Sequence, residues 1–171
     1  KYWCMAYTNF LKPTSVTQNT GATEITWDLD SSPSNDMTGS GLQLPLTSFD
    51  SKSTGLLIYS GWNTSSIPST SDGSTTTVIN GIEVKVLSNK DARIEDSIIQ
   101  LAQSGTIIGS NKASADAGEN YTYGSSTNVW GATLSYSDLS TLQVALKYKS
   151  GSTPHRDTSY VYSVQLKIHY T

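Results

Sequence analysis

Cysteine, histidine and charge are all scarce in this chain of 171 residues. A single cysteine, Cys4, excludes an internal disulfide framework, and two histidines offer few general bases or metal ligands. Charged residues make up 15% of the chain and the net charge is -3, which argues against a nucleic-acid partner and against an anionic membrane surface. No apolar run approaches the length of a membrane span.

Serine and threonine, by contrast, supply 50 of the 171 residues, and glycine another 13. Such residues favour exposed β-structure and turns, and strong helix formers are few. Patterned blocks of Val, Ile, Leu and Tyr argue against disorder. The length suits one domain with one core. The composition therefore predicts an all-β domain.

Short strands separated by polar turns are visible along most of the chain. Alternation of apolar and polar residues predicts half-buried strands, and a continuous apolar run predicts a more fully buried one. Ser104-Gly105 is placed to turn a hairpin into Ile107 and Ile108. The predicted strands cover 24–29, 55–62 (the continuous run), 78–87, 96–103, 142–149 and 160–170.

The alternation also assigns faces within these strands. In the last strand it places Tyr160 and Tyr162 on the core face with Val164, Leu166, Ile168 and Tyr170, and His169 on the solvated face. In the strand at 96–103 it places Ser97 inward with Ile99 and Leu101.

These elements together predict an antiparallel β-sandwich, with the jelly roll as the leading topology. Residues 21–171 form the sandwich, and residues 1–20 are either an N-terminal arm or an edge strand. Two long polar loops, at 30–41 and 60–77, are expected to be contact surfaces. A helical turn capped by Ser or Asp is expected at 136–139. Trp27 and Trp130 are expected in the core.

Catalytic chemistry finds little support in the residues, so no enzyme, no metal site and no cofactor is predicted. His155-Arg156-Asp157 looks like a kinase signature, but no other kinase motif accompanies it. Asp28 and Asp30 share a face without the glycine and glutamate that complete a calcium loop. The carboxylates of Glu95 and Asp96 are expected to be solvated.

Aromatic side chains in polar segments are the other candidates for function. Trp62 and Asn63, with Tyr121 and Tyr123, suit a shallow glycan-binding site, because rings stack on sugars and amides hydrogen-bond to them. The alternative for Trp62 is core packing.

The stretch from residue 80 to the end resembles, as a whole, a known viral module. The residues that carry the likeness are NGIEVKV at 80–86, YGSSTNVWGATLS at 123–135 and YVYSVQLKIHYT at 160–171. In that order they resemble a β-sandwich module of tailed-bacteriophage virion proteins, found in capsid decoration (cement) proteins, head fibres and tail-fibre adhesins. The likeness covers a little over half of the chain, and none of its residues is catalytic.

The resemblance implies a non-enzymatic virion protein, and the leading hypothesis is capsid decoration. Its partners would be the major capsid protein and copies of itself, as a dimer or trimer. Tyr2, Trp3, Tyr7 and Phe10 are the predicted capsid contacts, because an apolar arm outside the sandwich needs a partner surface. The alternatives are a receptor-binding module of a tail fibre, spike or head fibre that reads host surface glycans, and a carbohydrate-active or lectin domain of a cellular organism.

Overall fold

The structure is a computed structural model that describes residues 5–27, 29, 53–71, 73–90, 94–115, 117–150 and 159–171, and the backbone alone of 42–44. Within these residues the chain forms strands and a single 3₁₀ helix, Tyr136–Thr141. No helix among them is long and apolar enough to cross a membrane. The strands are β1 (Ala6–Tyr7), β2 (Ser15–Asn19), β3 (Leu42–Leu44), β4 (Leu56–Ser60), β5 (Ile79–Asn89), β6 (Ile94–Gln103), β7 (Thr106–Ile108), β8 (Asn120–Ser125), β9 (Leu142–Ser150) and β10 (Ser159–Tyr170).

The strands form two antiparallel sheets. In the first sheet the order is β1-β10-β5-β8, and β3 also pairs with β10, on the edge that β1 occupies; in the second sheet it is β2-β4-β9-β6-β7. From β3 onward the chain alternates between the sheets, except for the β6–β7 hairpin, and produces the orders β3-β10-β5-β8 and β4-β9-β6-β7. These are the two four-stranded sheets of a jelly roll. The predicted β-sandwich and its jelly-roll order are therefore confirmed.

Apolar side chains from both sheets meet in one core. Val84 and Leu166 of the first sheet and Ile99 and Leu146 of the second are fully buried, and each such side chain contributes about 1.5–3 kcal/mol. Trp27 and Trp130 join them at 1% and 0% exposure, as predicted. The strands predicted at 78–87, 96–103, 142–149 and 55–62 are present as β5, β6, β9 and β4.

Local turns also follow the sequence. Ser104 and Gly105 both have positive φ angles, 49° and 81°, and turn β6 into β7 as predicted. The helical turn begins after Ser135, whose backbone N–H donates a hydrogen bond of 2.8 Å to Oδ2 of Asp138. The predicted Ser/Asp cap is therefore confirmed. The described residues of 61–77 carry one isolated bridge, between Thr70 and Thr76, and no strand.

Two β-bulges overturn the predicted faces. The register of β10 slips between Val161 and Ser163, so Val161 is the buried residue there, and Tyr160 and Tyr162 lie outside the core cluster. Their rings stack on each other instead, 5.8 Å apart and 4° from parallel. A one-residue slip exchanges the faces of every residue beyond it, which is why the alternation misplaced both tyrosines.

The second bulge lies between Asp96 and Ile98 in β6 and turns Asp96 inward where Ser97 was expected. The side chain of Asn111 fills the gap: its Oδ1 accepts from the N–H of Ile99 at 3.0 Å, and its Nδ2 donates to Ser97 O at 2.8 Å. The loss of strand pairing at the bulge is thus offset by a side-chain amide.

The prediction of a strand at 24–29 is wrong, because the residues described in this range do not form one. Ile25 forms one isolated bridge, to Thr54, and nothing longer. The segment is held instead by Gln18, whose amide accepts from the N–H of Trp27 at 3.0 Å and donates to its C=O at 3.1 Å. The Trp27 indole donates to Gly55 O at 2.8 Å. A side-chain amide and an indole therefore replace the expected ladder.

Candidate contact surface

Tyr7 and Phe10, two of the residues predicted to contact a partner, lie along the edge of the first sheet. Tyr7 belongs to β1 and pairs with His169, and Leu11 forms a bridge to Leu166 further along β10. The chain then passes the buried Pro13 and becomes β2 at the edge of the second sheet. Residues 1–20 were expected to be either an N-terminal arm or an edge strand, and their described part forms edge strands. Tyr2 and Trp3 lie outside the described residues.

Main-chain hydrogen bonds fix this segment on β10. The Thr8 N–H donates to Ile168 O at 3.0 Å, and the Ile168 N–H donates back to the Thr8 hydroxyl at 3.1 Å. Leu11 and Leu166 exchange both of their backbone hydrogen bonds, at 2.6 and 2.9 Å. Backbone pairing of this kind satisfies groups that an edge would otherwise leave open.

Two aromatic rings of the segment meet two lysines on the outer face of the first sheet. The Lys167 ammonium lies 4.4 Å from the centroid of the Tyr7 ring and 5.6 Å from that of Phe10. Lys85, on β5, lies 5.7 Å from the same Phe10 ring. Cation–π contacts of this length contribute about 0.5–1 kcal/mol at exposed sites. Tyr7 is nevertheless 62% exposed, so much of its ring is open to a partner.

A histidine–glutamate pair lies beside the Tyr7 ring. The Nε2 atom of His169 is 2.5 Å from Oε1 of Glu83, and the Lys167 ammonium is 4.0 Å from the same oxygen. The expectation of a solvated His169 is wrong, because the residue is only 5% exposed. The Tyr7 ring, 5.8 Å from the imidazole, lies against it, and no local pattern predicts a contact between residues 7 and 169.

These side chains together make a basic aromatic surface, which we define as Tyr7, Phe10, Glu83, Lys85, Lys167 and His169. It holds two lysines and one carboxylate in a chain whose net charge is negative. In the second sheet the charges balance, because each of its two lysines has a glutamate of its own: Lys147 pairs with Glu24 and Lys149 with Glu95. Tyr7 and Phe10 were predictable from the sequence, but the charged residues of β5 and β10 were not, because their alignment depends on strand pairing.

The residues of the predicted glycan site are not gathered into one exposed patch. Trp62 is 7% exposed and belongs to the core cluster, so its ring packs in the core, which was the alternative to glycan binding. Tyr123 is 4% exposed, whereas Tyr121 is 38% exposed. Asn63 is exposed, but its Oδ1 accepts from the Ser65 backbone and hydroxyl at 3.2 and 2.7 Å.

The acidic residues are also arranged differently from expectation. Asp96 is not solvated as predicted: the bulge in β6 buries it to 5% exposure, where it accepts hydrogen bonds from Tyr123 and Lys90. Burial, reinforced by the Asp96 carboxyl, raises the pKa of Tyr123 far above its usual range, so its hydroxyl stays a donor. Asp28, Asp30, His155 and Cys4 lie outside the described residues.

Among the side chains that the structure describes, no three His, Cys, Asp or Glu residues come together as metal ligands would. The class that the fold defines is the all-β jelly-roll sandwich. No family model, no curated protein and no solved structure matches the chain. The likeness to phage virion modules therefore stays a prediction from residues 80–171.

Proposed function

We propose that this chain is a non-enzymatic structural protein of a tailed-bacteriophage virion that decorates the capsid and stabilises its shell. Two observations support the proposal. The strand order is that of the jelly roll, an architecture used by viral capsid domains, and the sequence of residues 80–171 resembles virion β-sandwich modules. Fold alone does not determine function, so the proposal depends on its contact surface.

The basic aromatic surface is the observation that carries the proposal. Tyrosine is enriched among the interface residues that contribute most of the binding energy. A lysine held beside an aromatic ring adds a positive charge that complements an acidic partner surface. Tyr7 offers such a ring at 62% exposure, with Lys167 beside it. The partner proposed for this surface is the major capsid protein, and copies of the chain would associate as a symmetric dimer or trimer around a capsid axis.

Copy number per particle tests the proposal most directly. Quantitative mass spectrometry of purified virions of the phage that encodes the chain should find it in proportion to the major capsid protein. A small fixed number of copies per particle would instead place the protein in the tail or a fibre. Its absence from purified particles would overturn the virion proposal.

Point variants test the surface itself. Tyr7→Ala and Lys167→Ala should weaken binding to undecorated capsids, while circular dichroism and melting temperature show that the fold is retained. Tyr121→Ala is the matched control, because Tyr121 is an exposed tyrosine on β8, at the edge of the first sheet opposite β1. Equal binding by Tyr7→Ala, Tyr121→Ala and the unchanged protein would exclude the surface.

The second candidate is a receptor-binding module that reads host surface glycans. The stacked and partly exposed rings of Tyr160 and Tyr162 favour it, since jelly rolls also occur in lectin domains. A glycan array probed with the unchanged protein and with Tyr162→Ala tests this candidate. Glycan binding that Tyr162→Ala abolishes would support it, and a silent array would remove it.

A further inference from the structure

A lysine and an aspartate are buried together between the two sheets. Lys90 directly follows β5 of the first sheet, and Asp96 lies in β6 of the second. Their side chains are 7% and 1% exposed, and Nζ of Lys90 lies 2.7 Å from Oδ1 of Asp96. The pair is far more enclosed than Lys149 and Glu95, which are 51% and 38% exposed.

Two tyrosines lie against this pair. The hydroxyl of Tyr123 donates a hydrogen bond to Oδ2, the aspartate oxygen that Lys90 does not contact. The ring of Tyr148 lies beside the amine, with its centroid 5.3 Å from Nζ. One carboxyl oxygen therefore faces the amine, the other faces a phenol, and aromatic rings limit the access of water.

The burial of this pair has a specific structural cause. Asp96 faces inward only because β6 bulges between Asp96 and Ile98, and the Asn111 amide maintains that bulge. A buried ion pair of this kind is often no more stable than apolar residues of the same size, because both charges lose their hydration. The arrangement is thus costly as an ion pair, and reaction between its two groups would remove both charges.

We propose that Lys90 and Asp96 condense to a side-chain amide, an intramolecular isopeptide bond between the two sheets. A proton passes from Nζ to Oδ1 along the 2.7 Å contact, which leaves a neutral amine and a neutral carboxylic acid. The amine lone pair attacks Cγ and forms the N–C bond. The bond from Cγ to Oδ1 then breaks, and Oδ1 leaves as water with the transferred proton and a second proton from nitrogen.

The surrounding groups fit this reaction without being consumed. Tyr123 donates to Oδ2, the oxygen that carries negative charge in the tetrahedral intermediate and remains as the amide oxygen. The contact between the two groups holds amine and carboxyl together, which replaces a bimolecular encounter with an intramolecular one. The reaction needs no oxidant and no cofactor, and its only by-product is water.

Intact mass spectrometry of the folded protein tests the proposal. The unchanged protein should be lighter by one water than its sequence mass, after full denaturation as well as before. Trypsin cleaves after Arg93, between the two partners, and the amide blocks cleavage after Lys90. The digest should therefore contain peptides 86–93 and 94–112 joined as one species.

Three variants separate this bond from other losses of water. Lys90→Arg keeps a cation beside Asp96 but lacks the attacking amine, so it should have the full sequence mass. Lys149→Arg, at the exposed pair, should remain one water lighter. Tyr123→Phe should form the lighter species more slowly, on the order of 100-fold, the usual loss when one oxyanion donor is removed.

Two results would overturn the proposal. One is a full sequence mass for the folded, unchanged protein after prolonged incubation. The other is a water loss that persists in Lys90→Arg, which would assign it to a different reaction such as cyclisation at Asp72-Gly73.

Discussion

The indole nitrogen of Trp130 donates a 2.9 Å hydrogen bond to the main-chain oxygen of Ile82, a residue 48 positions earlier. Trp130 is completely buried and has a positive φ of 62°, a strained conformation for a residue with a side chain. Burial of the ring and the cross-strand hydrogen bond offset that strain. The contact fixes the turn after β8 against β5.

Gly124 is the residue that leaves room for this contact. Its φ is 84°, and a Cβ placed there would overlap Ile82 O and lie 2.7 Å from the Trp130 indole nitrogen. Gly124→Ala should therefore lower the free energy of unfolding by about 1–3 kcal/mol through backbone strain, and by more if the indole is displaced. Urea denaturation measures the effect. Gly118→Ala, where a Cβ meets nothing within 4 Å, is the control and should stay within about 0.5 kcal/mol.

Gln18 provides a test of the amide that replaces a strand. Gln18→Glu keeps the size of the side chain but removes the donor to Trp27 O, and places a carboxylate oxygen against that carbonyl. The substitution should destabilise the fold by about 1–3 kcal/mol, measured by denaturant unfolding. Gln165→Glu, a partly exposed site on β10, should change stability far less. Equal effects would mean that the Gln18 amide contributes little.

The cap of the 3₁₀ helix should make stability depend on pH. Hydrogen bonds from the hydroxyl and N–H of Ser135, then from Gln103, lower the pKa of Asp138 from its ordinary value of 3.8. A pKa that is lower in the folded than in the unfolded state stabilises the fold above pH 3.8. This contribution is lost as the pH falls through the folded-state pKa of Asp138. Asp138→Asn should cost about 0.5–1 kcal/mol at neutral pH.

The same comparison below pH 3.8 should show a smaller difference, because the unchanged carboxyl is then increasingly protonated. Unfolding curves at the two pH values measure this change. Glu95→Gln removes an exposed carboxylate without a cap and should show little difference at either pH. If Asp138→Asn lowered the free energy of unfolding by the same amount at both pH values, the lowered pKa of Asp138 would not be the source of the pH dependence.

Trp62 tests whether a buried aromatic ring has been mistaken for a binding residue. Trp62→Ala should lower the free energy of unfolding by about 3–5 kcal/mol, as expected when a large core side chain is removed. Tyr121→Ala, at an exposed ring, should cost much less. Thermal unfolding compares the two variants. A Trp62→Ala protein with unchanged stability and lost ligand binding would restore the glycan interpretation for this residue.

Alternation was sufficient to locate most strands and to assign the core faces of β9 and of β5 from Ile82 to Val86, because no bulge interrupts the period of two there; the irregularity of β5 lies earlier, at Asn80. It failed at Tyr162 and at Asp96, where one extra residue exchanges the faces of a strand. No composition signal marks either bulge. The Asn111 amide that maintains one of them comes from beyond the β6–β7 hairpin, 12 residues after Ile99.

The contact surface was predictable only in part, for a similar reason. Tyr7 and Phe10 are apolar residues in a polar region, a signal that can be read locally. Their lysine neighbours become visible only when β1 pairs with the far end of the chain, and the same pairing buries His169. The buried Lys90–Asp96 pair likewise depends on which sheet receives each strand.

The position of β10 has a consequence for how this protein folds. β10 is the last strand in the sequence, yet it lies inside the first sheet, between β5 on one side and β1 and β3 on the other. Neither β1 nor β3 has its partner until the ribosome has delivered residues 159–170. Folding of the first sheet is therefore expected to be late and slow, as for other topologies rich in distant pairings. Until then, the apolar face of β5 is exposed to chaperones and to other nascent chains.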